Sequence, residues 1–184
     1  MLLPLTAWAV TGAIFFIKPG YGAAYDALPI KTYPIARMAI DGDPAWLEAR
    51  YLKTVLGDHL LVRTSAGWQH LDPSTRQARP SPGDQEIRAL VADATAANPA
   101  RYGSVTSVSD NVATTDTGAR VTVNWKPLSL SQRGRDTDRI DAIYKVHYLQ
   151  WTGIALLDRV VGGLGLVLIL VLSGLGVRLW LRAR

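Results

Sequence analysis

The sequence contains no cysteine and only three histidines among its 184 residues. Without thiols the chain can form no disulfide, no thiolate metal site, no cysteine-ligated iron–sulfur cluster and no c-type haem attachment. It also lacks a basic stripe, because part of the net charge of +5 comes from a C-terminal arginine tail and acids alternate with bases elsewhere. Nucleic acid is therefore not an expected partner.

Recognisable catalytic patterns are missing as well. The sequence holds no nucleophile elbow, no zinc-protease helix motif and no phosphate-cradling glycine loop. We therefore predict that the protein is not an enzyme and has no cofactor, and we do not expect a small-molecule substrate.

What the sequence does contain is a long apolar run near its end. Val160–Val177 carries neither charge nor proline, and Arg178, Arg182 and Arg184 follow it. A helix of this length covers the roughly 30 Å hydrocarbon core of a bilayer. Because arginines favour the cytoplasmic side, residues 151–184 are predicted to form a transmembrane helix with a cytoplasmic arginine tail.

A second apolar run, Leu2–Ile17, opens the chain. We predict that residues 1–18 form a first transmembrane helix, which places both termini in the cytoplasm and residues 19–150 in the periplasm of a bacterial inner membrane. Two alternatives are a signal peptide and the truncated start of a longer helix that begins upstream.

Residues 19–150 are predicted to form an α+β domain that begins with an antiparallel meander. Trp46–Leu56 and His59–Thr64 are interpreted as strands joined by a Gly57-Asp58 turn, because a glycine-first pair between apolar runs is typical of a type II′ hairpin. After a turn at Ser65-Ala66-Gly67, Trp68–Asp72 is the third strand.

One amphipathic helix is predicted after the meander, over Pro82–Ala97. Ser81 is interpreted as its N-cap with proline at the first helical position. The apolar stripe that should pack on a sheet consists of Ile87, Leu90, Val91 and Ala94.

The remaining segments are less regular. One strand is expected near Ile35–Ile40, another at Val105–Val108, and a half-buried one at Arg120–Trp125, where apolar and polar residues alternate. Ser129–Asp138 is interpreted as a polar exposed segment. Ile140–Trp151 is expected to lead into the membrane.

Small and aromatic residues of the last helix predict a binding surface for a partner. Glycine and serine on one helix face admit the close approach of another helix, either the first one or a helix of another protein. Tyrosine and tryptophan at its outer end suit the headgroup layer. The residues assigned to partner binding are Gly162, Gly165, Ser173, Gly176, Tyr148 and Trp151.

The histidines offer few ligand sites. His147 lies just before the last helix, where it could bind a haem or a metal, but a single histidine supplies one axial ligand only. His70 and Asp72 stand two positions apart on one strand, which allows a half-site for a metal or an ordinary polar strand edge. His59 is interpreted as part of a turn.

The pattern resembles the PepSY-associated transmembrane proteins of bacteria. The resemblance covers most of the chain and rests on Leu5–Ile17, on WLEARYLKTVLGDHLLVRT followed by GWQHLDPST, on the helix after Ser81, and on DRIDAIYKVHYLQWTGIALLDRVVGGLGLVLILVLSGLGVRLW. The last block is the most specific one. The chain departs from larger relatives because it has two apolar runs, no His-Arg-Trp opening and no paired membrane histidines.

The resemblance implies an extracytoplasmic PepSY-like module, a helix against an antiparallel sheet, between membrane helices. Such modules are regarded as regulatory or interaction units. We therefore expect an accessory protein whose partners are membrane lipid and another integral membrane protein or complex. The alternatives are a subunit of a haem- or metal-dependent, iron-siderophore type reductase that uses His147, and a periplasmic peptidase inhibitor.

Overall fold

The computed structural model describes residues 2–35 and 42–183. The strand expected at Ile35–Ile40 lies, apart from its first residue, outside the described residues, as does Arg184 of the arginine tail. The architecture is α+β, with two antiparallel sheets and one helix apolar and long enough to be a membrane span.

The chain divides into two compact units. One unit combines the residues up to Tyr21 with those from Thr137 onward, and the other is Gly22–Asp136. Both sheets lie in the second unit, which falls within the predicted domain of residues 19–150.

The structure contains six helices and seven strands within the described residues. The helices are α1 (Leu2–Ile17), α2 (Tyr21–Tyr25), α3 (Asp84–Thr95), α4 (Pro99–Tyr102), α5 (Arg135–His147) and α6 (Ala155–Arg182). The strands are β1 (Glu48–Thr54), β2 (Gly57–Thr64), β3 (Gly67–Leu71), β4 (Val105–Ser109), β5 (Val112–Thr115), β6 (Arg120–Asn124) and β7 (Ser129–Arg133).

The first sheet is the predicted meander, in the order β1-β2-β3. The predicted turn at Gly57-Asp58 is wrong by two residues, because Thr54 pairs with Gly57 and leaves Val55-Leu56 as the loop. Gly57 has a φ of 94°. A residue with positive φ directly after a two-residue loop is typical of a type I turn followed by a G1 bulge, which favours glycine there.

The second sheet has the order β4-β5-β6-β7. Asp110-Asn111 joins its first two strands with φ values of 51° and 62°, which fits a type I′ turn. Ser129–Asp138, predicted as a polar exposed segment, begins with β7, which pairs with β6 and alternates exposed with partly buried residues. Only Leu130 of β7 packs against the core, so this edge strand lacks an apolar run.

Helix α3 begins two residues later than predicted. Its N-cap is Gly83, and the Gly83 N–H donates to Glu86 Oε2 at 2.9 Å, so Ser81 does not cap it. A carboxylate in the first turn also interacts favourably with the helix dipole. The buried face contains Ile87, Leu90 and Val91 as predicted, with Thr95 rather than Ala94 as its last fully buried member.

One hydrophobic cluster joins both sheets to α3. Burying each aliphatic side chain of this kind contributes about 1.5–3 kcal/mol. Its central members include Leu61, Ile87, Leu90, Val91, Ala113, Val121, Val123 and Trp125. A smaller cluster of Leu60, Val62 and Leu71 packs with Trp46.

The helix predicted to run without interruption from Trp151 to Trp180 is broken at its start. Helix α5 ends at His147 and α6 begins at Ala155, so residues 148–154 form a non-helical linker that contains Trp151. Two linker residues, Leu149 and Gly153, have positive φ values of 56° and 74°, which an α-helix does not accommodate.

Within the described residues, α6 is the one helix that is long and apolar enough to cross a membrane. Its 28 residues extend over about 42 Å, and its most apolar window is 0% buried. Helix α1 has 16 residues and falls short of a standard span. Its role as a first transmembrane helix therefore stays a prediction.

Candidate functional site

The residues assigned to partner binding on α6 lie in two different surroundings. A Cβ built on Gly165 would lie 2.8 Å from Leu149 Cδ1, and one on Gly162 would lie 3.6 Å from the Tyr148 carbonyl oxygen. The linker therefore occupies this part of the predicted groove. A Cβ built on Gly176 meets no atom within 4 Å.

The two aromatic residues assigned to partner binding both lie on the linker and stay half exposed. Tyr148 stacks on Tyr144 with ring centroids 6.0 Å apart. Trp151 donates its indole N–H to the Val146 carbonyl at 3.1 Å. Amphipathic rings that are anchored at one end and exposed at the other suit a membrane interface.

Aromatic side chains pack α1 against α5. Trp8 stacks on the His147 ring with centroids 5.5 Å apart, and Phe15 stacks on Tyr144 with centroids 4.4 Å apart. Gly12 of α1 lies against His147, since a Cβ there would be 3.8 Å from Cε1 of that ring.

Hydrogen bonds orient the ring of His147. The Thr11 hydroxyl lies 2.7 Å from the Ala7 carbonyl and 2.9 Å from His147 Nδ1. When the hydroxyl donates to the carbonyl, its oxygen accepts from Nδ1–H, and Nε2 of the neutral ring keeps a lone pair with no hydrogen bond to a described residue. Histidines that bind metals are commonly oriented by such a bond from their other ring nitrogen.

The other two histidines form a buried pair that the sequence reasoning missed. The side chains of His59 and His70 are 0% and 4% exposed, and His59 Nδ1 lies 2.8 Å from His70 Nε2. The interpretation of His59 as a turn residue is wrong. The ring of His70 packs on Trp125 with centroids 4.1 Å apart.

The considered half-site of His70 and Asp72 does not form. Asp72 Oδ1 accepts from the backbone N–H groups of Ser74 and Thr75, at 2.9 Å each, and so closes the turn after β3. Nor do the described residues contain a group of three or more histidine, aspartate or glutamate side chains that could hold a metal ion.

The partners of the histidine pair fix both tautomers. His70 Nδ1 lies 2.9 Å from the Trp125 carbonyl, which can only accept, so this nitrogen carries the proton. His70 Nε2 then accepts from His59 Nδ1–H. His59 Nε2 in turn accepts from the Thr54 hydroxyl at 2.7 Å. Every ring nitrogen of the pair is satisfied when both imidazoles are neutral.

Arg79 makes the neutral state of this pair more favourable. It donates to the carbonyls of Leu56 and Asp58, and its Nη1 lies 3.2 Å from His59 Nδ1. Burial, and after it the charge of Arg79, lowers the pKa of His59 from 6.5 to about 3. Burial also lowers the pKa of His70.

Comparisons with known proteins add no assignment. No family model matches the chain, and neither a curated protein nor a solved structure matches it.

Proposed function

We propose that this chain is a non-enzymatic accessory or regulatory protein of the bacterial inner membrane. In this proposal α6 anchors the chain, α1 is a second span and both termini lie in the cytoplasm. Gly22–Asp136 is a PepSY-like domain in the periplasm. The partners are membrane lipid and another integral membrane protein or complex.

The observation that carries the proposal is the bare apolar surface of α6. Its side chains are apolar around the whole circumference, and large ones such as Leu164, Leu166 and Leu170 are about two-thirds exposed. Each Å² of apolar surface left in water costs about 25 cal/mol, so a helix of this kind needs lipid or a partner helix around it.

Two further features support the orientation and the domain type. After Asp158 the sequence contains arginines and no acidic residue, which favours a cytoplasmic C-terminus. Helix α3 packs against strands of the sheet that follows it in the chain, as expected of a helix on an antiparallel sheet.

The exposed small residues near the C-terminal end of α6 favour the docking of a partner helix. Ser173 and Gly176 are three residues apart and therefore share a face, and both are exposed. Small residues at such spacing let two helix backbones approach closely in lipid. Gly174 has equally open surroundings but lies on another side of α6, because two residues rotate a helix by about 200°.

A matched pair of variants tests the docking face. Gly176→Leu adds bulk to the face and Gly174→Leu adds the same bulk elsewhere on α6. The full chain, expressed in its host membrane and purified in mild detergent, should bring down an integral membrane partner. We expect Gly176→Leu to release that partner and Gly174→Leu to retain it.

Membrane extraction and topology reporters complete this test. Both variants should stay in the membrane after alkaline carbonate washing, and a reporter fused within Gly22–Asp136 should be active only in the periplasm. If both variants keep the partner, the docking face is wrong. If the reporter works only in the cytosol, the proposed role is wrong as a whole.

One observation favours a second candidate, a haem- or metal-binding reductase subunit. The free Nε2 lone pair of His147, oriented through Thr11, is chemically suited to ligate iron. The chain supplies only this one histidine outside the buried pair, so a second axial histidine would have to come from another chain.

Absorbance separates the two candidates. A Soret band in the purified full chain that disappears in His147→Ala and shifts in Thr11→Val would favour the second candidate. Absence of the band after expression with added haem precursor would remove a haem role.

A further inference from the structure

A cavity of about 830 Å³ lies beside the linker and the first turns of α6. Its walls combine two basic side chains, Lys145 and Arg159, with the aromatic rings of Tyr148 and Trp151. Gly162 contributes bare backbone to the wall. The cavity thus combines cationic donors with amphipathic rings.

The two basic side chains are available to a ligand. Both are exposed, and neither forms an ion pair with a described acidic residue. The carboxylate of Asp158 also borders the cavity, but its Oδ1 already accepts from the Thr152 N–H at 3.0 Å and from the Thr152 hydroxyl at 2.7 Å. The basic groups therefore outnumber the acid, whose charge is partly met by hydrogen bonds.

The surroundings of the cavity select the kind of anion. The first turns of α6 expose Leu156, Leu157 and Val160, by 74%, 44% and 50%. An anion that binds here therefore lies next to an apolar helix surface. A phosphate group that carries acyl chains fits both parts, because the phosphate meets Lys145 and Arg159 while the chains cover α6.

We infer that this cavity binds the phosphate of an anionic phospholipid such as phosphatidylglycerol. The inference rests on the proposed membrane anchorage by α6 and adds to it a defined lipid site at the end of the helix opposite the arginine tail. Arg159 and Lys145 donate to the phosphate oxygens, and Trp151 and Tyr148 flank the glycerol region.

The test is native mass spectrometry of the full chain in neutral detergent with added phosphatidylglycerol or phosphatidylcholine. A basic residue near an anionic lipid contributes about fivefold to affinity, so Lys145→Gln with Arg159→Gln should weaken phosphatidylglycerol binding roughly 25-fold. Arg178→Gln with Arg182→Gln removes the same charge at the other end of α6 and should leave this binding within about twofold.

Three results of these binding measurements would contradict the proposed lipid site. Equal binding of the two lipids by the wild type, or equal losses in the two double variants, would overturn the lipid site. Displacement of the lipid by inorganic phosphate or glycerol phosphate at equal concentration would also overturn it, because the cavity would then be a site for free phosphate. Circular dichroism checks that each variant is folded.

Membrane extraction separates this failure from a failure of the proposed function. A wild-type chain that resists alkaline carbonate but does not select phosphatidylglycerol retains its anchor and loses only the lipid site. A wild-type chain that carbonate removes from the membrane would defeat both.

Discussion

The molecule places its histidines in two contrasting environments. His59 and His70 lie in the Gly22–Asp136 unit, where each ring nitrogen has a hydrogen-bond partner. His147 lies in the other unit, where Thr11 takes one nitrogen and the other keeps its lone pair. The difference indicates that the first pair stabilises a fold, whereas the single histidine keeps a group available for binding.

The sequence neighbours of these residues do not reveal this difference. In the sequence His59 stands beside the predicted Gly57-Asp58 turn, while His147 stands among aromatic residues before the apolar run. The partner of the second ring nitrogen, which only the tertiary structure supplies, decides between a buried structural group and an accessible ligand. Substitutions of these histidines and their partners therefore test the contrast.

The largest effect is expected from His70→Ala. The change leaves His59 Nδ1–H without its acceptor, removes one of the two donors to the Trp125 carbonyl, which keeps the Leu128 N–H, and opens a cavity beside the indole ring. We expect the free energy of unfolding of the Gly22–Asp136 unit to fall by roughly 3–4 kcal/mol. Urea unfolding of the full chain in detergent, followed by near-ultraviolet circular dichroism, measures this loss.

His147→Ala is the matched control for that experiment. It deletes the same side chain from the other environment, and the same transition should change by less than about 0.5 kcal/mol. Equal losses in the two variants would contradict the contrast.

Acid should destabilise the unit that contains the histidine pair. The pKa of His59 is about 3 in the folded state and 6.5 in the unfolded state. Between these pH values the unfolded state binds more protons than the folded state. The free energy of unfolding is therefore highest above pH 6.5 and declines as the pH falls toward 3. Through His59 alone, the loss by pH 4.5 should be roughly 2–3 kcal/mol.

His70 acts in the same direction, because its pKa is also lowered. Urea unfolding at pH 7.5 and pH 4.5 tests the prediction. A free energy of unfolding that is the same at both pH values would show that the pair is not held neutral.

A smaller effect is expected from Arg79→Gln. The change removes the charge beside His59, so the pKa of this histidine should move upward, although burial still holds it below 6.5. It also removes hydrogen bonds to two backbone carbonyls, which should cost about 1–2 kcal/mol at pH 7.5. The variant should therefore start less stable and lose less on acidification.

Urea unfolding of the Arg79→Gln variant at pH 7.5 and pH 4.5 tests this prediction. A dependence on pH as steep as that of the wild type would mean that burial alone sets the protonation of the pair.

The smallest effect on stability is expected from Thr11→Val. Valine keeps the shape of threonine but offers no acceptor to His147 Nδ1–H, so part of the population should shift to the Nε2–H tautomer. Nitrogen NMR of histidine-labelled protein would detect the shift, and the signals of His59 and His70 should not change. An unchanged His147 signal would show that Thr11 does not orient the ring.

The sequence predicts the long, regular features of this fold well. The apolar run of α6, the β1-β2-β3 meander and the stripe of α3 each rest on several residues that repeat the same period, so errors at one position do not matter. Ends of elements are less certain. Ser81-Pro82 and Gly83 with Glu86 both offer a start to α3, and the structure uses the second.

Other features depend on contacts that no local pattern carries. Strand β7 has a single core-facing leucine, so its pairing partner decides its conformation. The histidine pair follows from the register of β2 and β3, in which Leu61 faces His70 and His59 is a diagonal neighbour on the same face. The loop Ser65-Ala66 sets that register, because Thr64 pairs with Gly67 and the predicted turn over Ser65-Ala66-Gly67 is one residue too long. The break before α6 combines Gly153, which is visible in the sequence, with a positive φ at Leu149, which is not.

Each histidine environment also contains its own optical reporter. Trp125 contacts both buried imidazoles, and Trp8 stacks on His147. Protonated imidazole quenches indole fluorescence, and burial shifts the emission of an indole to shorter wavelength. Chains in which Trp125 or Trp8 is the single remaining tryptophan of the six would therefore report the protonation of the neighbouring imidazole by emission intensity, without a label.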